Sequence, residues 1–208
     1  MTPPYALRAV KATLLSAVAV VTLTAAAVSA DGLEGGTIFT GAGPGGTPEV
    51  KAFDSQGLAP QQDFLAYSIA FTGGVSVATG FLNGAPVIVT GAGPGGSPHV
   101  KVFDAMTLAV QQSFFAFDPS LTGGVSVAMG QWDDHSVIVV GAGPGGGPNV
   151  KVFDAETAQL LADFLAFDPR FTGDIHVAVG ADGIVVGAGA GGTPRVSVCL
   201  EAGVRTSW

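Results

Sequence analysis

Short apolar runs rich in Val, Ile and Phe alternate with clusters of Gly, Pro and Asp from residue 37 to residue 200. That rhythm predicts short β-strands joined by tight turns. In the third copy of the pattern the strands are predicted over 137–140, 150–154, 164–168 and 175–179. Several are apolar at nearly every position, as expected of a sheet covered on both faces. Residues 155–165 taken alone have helical character. Their counterpart in the first copy contains Gly57 and Pro60, so a hairpin connection fits every copy better.

The runs recur in a fixed order. The hexamer GAGPGG begins at Gly41, Gly91 and Gly141, and a variant, GAGAGG, begins at Gly187, giving offsets of 50, 50 and 46 residues. PEVKAFD, PHVKVFD and PNVKVFD follow from Pro48, Pro98 and Pro148, and FTGGVSVATG, LTGGVSVAMG and FTGDIHVAVG start at Phe71, Leu121 and Phe171. Four strands in about 50 residues is the content of one propeller blade, whose faces are buried only by stacking on its neighbours. The fold expected is therefore all-β, a β-propeller-type repeat. Whole blades are predicted over 74–118 and 124–168, with three strands over 37–67 and three over 174–200. These fourteen strands make about 3.5 four-stranded blades, either a small four-bladed ring or part of a larger propeller shared between chains.

VIVVGAGPGG has the outline of a dinucleotide-binding loop, with Gly141, Gly143 and Gly146 after an apolar strand. That chemistry needs a helix N-terminus directly after the glycines to hold the pyrophosphate. Here Pro148 and an alternating strand follow, and Pro44, Pro94 and Pro144 remove a backbone donor from the loop itself. The sequence argues for a tight turn and against a nucleotide.

The N-terminus changes the picture of where the chain resides. Arg8 and Lys11 precede an uncharged, largely apolar stretch that ends in Val28-Ser29-Ala30, the arrangement of an export signal. Residues 1–30 are read as a signal peptide cleaved before Asp31, and 31–208 as the propeller domain, with repeat starts near 41, 91, 141 and 187. A membrane anchor is the rival reading. A second rival is a first-blade strand before Asp31, because Val28-Ser29-Ala30-Asp31-Gly32 echoes Val179-Gly180-Ala181-Asp182-Gly183. Removing the signal leaves six basic against sixteen acidic residues, a net charge of −10. Such a surface repels phosphate backbones, which argues against nucleic acid.

The succession FTGGVSVAMG, a short loop, VIVVGAGPGG and PNVKVFD resembles the FG-GAP, or integrin-α-like, propeller repeat over residues 37–200. The resemblance implies an extracellular propeller that binds proteins or glycans and often holds calcium in the loop between its first two strands. This sequence departs from the family there. A calcium site needs six to eight oxygen ligands, as a general rule, and the three loops read FLNGAPVIVT, QWDDHSVIVV and ADGIVV. Asp133, Asp134 and Asp182 are the remaining candidates, with Asn83 alone in the first loop. No cofactor is expected.

Among other residues, Lys51, Lys101 and Lys151 recur with Asp54, Asp104 and Asp154 three positions on. They form either a ring of ligand contacts or repeated strand-edge ion pairs of small energetic weight. His99, His135 and His176 occupy different blade positions and show no zinc spacing. Cys199 stands where Phe53, Phe103 and Phe153 stand in earlier copies, as a packing residue or a thiol able to join two chains. No nucleophile elbow or H-E-x-x-H motif occurs. The reading is an exported, non-enzymatic binding or structural module, secreted or on the cell surface, whose partner is an extracellular protein or glycan. A self-assembling structural protein, and after it a carbohydrate-active enzyme, are the alternatives.

Overall fold

A computed structural model describes residues 25–28, 36–56, 58–132, 135–180, 183–199 and 205–207. The first sheet contains β1 (Ala25–Val28), β2 (Thr37–Gly41), β3 (Glu49–Asp54) and β4 (Pro60–Leu65). The second contains β5 (Val75–Leu82), β6 (Ala85–Ala92), β7 (His99–Asp104) and β8 (Val110–Phe115). The third contains β9 (Val125–Trp132), β10 (His135–Ala142), β11 (Asn149–Asp154) and β12 (Leu160–Leu165), and the fourth β13 (Ile175–Gly180), β14 (Gly183–Ala188), β15 (Val196–Cys199) and β16 (Arg205–Ser207). Each sheet is a four-stranded antiparallel meander in sequence order. The fold is a β-propeller-type repeat of four blades.

Two expectations need correction. Fourteen strands were expected, and the described residues hold sixteen, because β1 and β16 complete the outer sheets. Arg205–Ser207 is polar and carries no readable strand pattern, whereas Ala25–Val28 lies inside an apolar run and is the first-blade strand before Asp31 that the echo of residues 179–183 offered as a rival reading. The outermost strand of the third sheet runs over Leu160–Leu165, not over 164–168. The apolar stretch after it owes its character to packing of the connector, where Ala166 is 3% exposed. The connection at 155–159 is a turn leading into a strand, with no helix.

Adjacent sheets meet through two kinds of face. In the first joint Phe39, Val50 and Ala52 of the first sheet cluster with Val75, Val77, Ile88 and Phe103 of the second. In the next joint Val89, Val100 and Val102 meet Val125, Val127, Ile138 and Phe153, and in the third Val139, Val150 and Val152 meet Ile175, Ile184 and Val186. Each middle sheet is thus apolar on both sides, which is why β6 and β10 read as unbroken hydrophobic runs, over 87–89 and 137–140. Outer strands add aromatic and amide contacts between sheets. Phe64 packs on Phe103 and Phe114 on Phe153, with ring centroids 4.9 and 5.0 Å apart. Gln62 Nε2 donates to the Ala105 carbonyl at 3.2 Å, and Gln112 Nε2 donates to the Ala155 carbonyl at 2.8 Å.

Candidate functional site

The hexamer is the joint between blades. At Gly91 an added Cβ would stand 2.9 Å from the side chains of Val125 and Val127, so only glycine lets the next inner strand lie this close. Gly41 and Gly141 are crowded in the same way by Val75 and Ile175. Gly95, with φ +88°, donates its amide to the Thr122 carbonyl at 2.8 Å. Gly45 and Gly145 bond in the same way to Thr72 and Thr172 at 2.8 and 3.1 Å. The expected tight turn is present, and what demands its glycines is the sheet beside it.

These turns and the starts of the inner strands enclose a cavity of about 320 Å³, to which all four sheets contribute. Pro44, Pro94 and Pro144 supply rigid apolar wall, and Ser76 and Ser126 face it from β5 and β9. Both hydroxyls are committed between sheets: Ser126 Oγ donates to the Ile175 carbonyl at 2.6 Å, and Ser76 Oγ accepts from the Val127 amide at 3.1 Å. The fourth sheet breaks the pattern, with Asp174 at the position of Gly74 and Gly124 and His176 at that of Ser76 and Ser126. His176 Nε2 lies 3.0 Å from Asp174 Oδ2, with the imidazole 65% and the carboxylate 30% exposed. The cavity thus offers an apolar floor and one acid–imidazole pair at its edge. Sequence reasoning passed over that pair; its signal was the departure of FTGDIHV from FTGGVSV.

The recurring lysines and aspartates do not pair with one another. Asp104 Oδ1 accepts from the amides of Met106 and Thr107 at 2.9 and 2.7 Å and from the Thr107 hydroxyl at 2.9 Å. Those bonds, the Thr107 amide foremost, hold its carboxyl below the usual range. Asp154 caps its own turn likewise through Thr157 and Glu156, and the Thr157 hydroxyl is the largest cause of its lowered pKa. Asp54 accepts from the Gln56 amide at 2.9 Å. Lys101 Nζ instead crosses to the preceding sheet, donating to the Ala66 carbonyl at 2.9 Å and lying 5.1 Å from the Tyr67 ring centre. Lys151 lies 5.2 Å from the Phe117 ring centre and 3.7 Å from Asp163, whereas Lys51 pairs with Glu49 at 3.3 Å. All six lie on β3, β7 and β11, and none of them lines the cavity.

Asp133, Asp134 and Asp182 lie outside the described residues, as do residues 1–24, 29 and 30 of the segment read as an export signal. Among the described residues no three His, Cys, Asp or Glu side chains converge as a metal site requires. The histidines lie apart in role: His99 Nε2 is 2.8 Å from Ser113 Oγ, and His135 Nδ1 is 3.7 Å from Asp154.

No family model matches the chain, and no curated protein is similar to it. Among solved structures the chain is similar to one described as the structure of the Dos1 propeller, at 16% identity and a TM-score of 0.48, over 83% of this chain and 44% of that one. The chain therefore spans less than half of that neighbour's length.

Proposed function

We propose that this chain is an exported, non-enzymatic binding module of the FG-GAP type, which receives an extracellular protein or glycan at the turn-lined end of its propeller. One observation carries the reading: where the repeat departs from its own pattern, at Asp174 and His176, the departure falls on the wall of the cavity. A scaffold repeats its joints, whereas a binding surface needs a feature that sets one direction apart from the others. The apolar proline wall with a few polar groups at its edge is the usual composition of a ligand site. Arg8, Lys11 and the apolar run to Ala30 support export to the cell exterior or its surface. Folding is independent of calcium in this reading, since the loops lack its ligand spacing.

Glycan and protein arrays probed with the mature domain test this proposal. A discrete set of bound partners is expected, with the signal cut at least about tenfold by His176→Ala if the imidazole makes a charge-assisted contact. Turnover in a broad hydrolase and lyase screen, lost in the same variant, would instead assign an enzyme. A melting curve with excess calcium and then with chelator is expected to coincide; a large rise with calcium contradicts the metal-independent reading.

A further inference from the structure

Among the described residues the two ends of the sheet stack are left open, and each is half of a joint that the chain builds three times. Val50, Val100 and Val150 are each 0% exposed because the next sheet covers them; Val196, their counterpart in the fourth sheet, is 46% exposed. Val185 and Val198 beside it are only half-buried, although Val89 and Val139, the counterparts of Val185, are 0% exposed. Gly187 keeps the glycine of the joint, yet an added Cβ there would meet only His176 Cβ, at 3.9 Å. At the other end Ile38 and Phe53 of the first sheet are half-buried, whereas their counterparts Ile88 and Ile138 are 0% exposed and Phe103 and Phe153 are 3% and 6% exposed. Lys51 points to the same gap. Lys101 bonds across to the preceding sheet, whereas Lys51 is 46% exposed and turns back to Glu49 of its own strand.

We infer that the open Val185–Val196–Val198 face of one copy receives the Ile38–Phe53 face of a second copy, and that two copies close head to tail into a ring of eight blades. This goes beyond the binding reading and stands on different observations. The occupant is a second copy because the two open faces match as the faces of the three formed joints match. The stoichiometry follows from closure. A head-to-tail contact gives a ring or an endless filament, and propellers close with roughly four to eight blades. The described residues of one copy supply four blades and leave both end faces uncovered, two copies supply eight, and three would exceed the range. Contiguous apolar faces of this kind are also a liability in water unless something covers them.

Light scattering coupled to size-exclusion chromatography on the full mature protein is the test. The mass expected is twice that of one chain. Val196→Asp and Phe53→Asp are each expected to give single chains, and an equimolar mixture of the two variants should regain pairs, because one joint between them remains intact. Both substitutions lie on open faces, so the melting of the separated chains should match between them, which distinguishes lost association from lost folding. A single-chain mass for the unaltered protein overturns the proposal. So does a ladder of higher oligomers, or a Phe53→Asp variant that pairs as before. Partner binding on the arrays is read separately, so either inference can fail while the other stands.

Discussion

Tyr67, on the connector leaving the first sheet, donates its hydroxyl to the His99 carbonyl of the second sheet at 2.8 Å. The same oxygen lies 3.2 Å from Thr90 Oγ1, whose residue is 0% exposed. Burial drives the phenol pKa far above its ordinary value, so the group is a neutral donor at neutral pH. At the next joint Phe117 and Val140 hold the corresponding positions, an apolar pair in place of a polar one.

Tyr67→Phe is therefore expected to destabilise by about 1–2 kcal/mol, the cost of leaving a buried hydroxyl and carbonyl short of a partner. Thr90→Val added to it should recover most of the loss, since the double variant reproduces the joint that Phe117 and Val140 already make. Urea unfolding of the two singles and the double measures the coupling. Additive losses would show that the hydroxyls do not act together.

Close backbone approach predicts a sharp contrast between two glycines of one motif. A Cβ on Gly143 would overlap the carbonyl oxygen of Gly123, whereas one on Gly46 would come no nearer than 3.8 Å to any atom outside its neighbours. Gly143→Ala is expected to cost about 3 kcal/mol, as overpacking does, and Gly46→Ala to stay within about 0.5 kcal/mol. Thermal unfolding of both variants checks this; equal shifts would mean that the turn gives way more readily than its contacts allow.

His99 gives the stack a pH dependence of known sign. Burial, and after it the nearby Lys101 ammonium, lowers the imidazole pKa below 6.5. The unfolded chain therefore binds this proton more readily than the native one, so stability is full above pH 6.5 and falls as the pH drops through the native value. The capped carboxylates act in a separate window. Asp168, held at about 2 by its Arg170 side-chain and backbone bonds, and Asp104, Asp118 and Asp154, all lowered, weaken the fold only once the pH falls below the ordinary carboxylate value of 3.8. Melting temperatures at pH 8 and 5.5 should differ less in His99→Gln than in the parent, and an unchanged difference would remove His99 as the cause.

The repeat and its strands were legible because burial on both faces writes unbroken Val and Ile runs into β6 and β10, and because β7 and β11 repeat the same V-K-V-F-D string. Outer strands were not. β8 buries neither face fully, with Val110 52% and Phe115 50% exposed, so its sequence VQQSFF carries no strong alternation. The hexamer was recognisable as a turn, but the demand on Gly91 comes from Val125 and Val127, residues more than thirty positions away. Likewise the lysine–aspartate spacing was plain while its meaning was not: Asp104 serves its own turn and Lys101 the preceding sheet, which no single repeat reveals. The Asp174–His176 pair was written in the sequence as a break in the repeat, and comparing the copies position by position exposes it.

The N-terminal residues pose the last question in terms a direct measurement answers. Ala25–Val28 pairs with Thr37–Thr40 as the inner strand of the first sheet, yet it also closes the uncharged run that follows Arg8 and Lys11. Cleavage before Asp31 removes that strand and leaves the inner edge of β2 without its neighbour. The loss is bounded, because β1 contributes four residues, whereas β5 and β9, the inner strands at the first two joints, each run for eight. N-terminal sequencing of exported material is expected to begin at Asp31. A chain lacking residues 1–30 should melt within about 4 °C of the uncleaved one, the shift that about 1 kcal/mol produces in a protein of this size. An exported protein that retains Met1 would make β1 a permanent strand and the export-signal reading wrong. A much larger fall in melting temperature would show that the first sheet depends on β1 and that cleavage, if it occurs, must follow assembly.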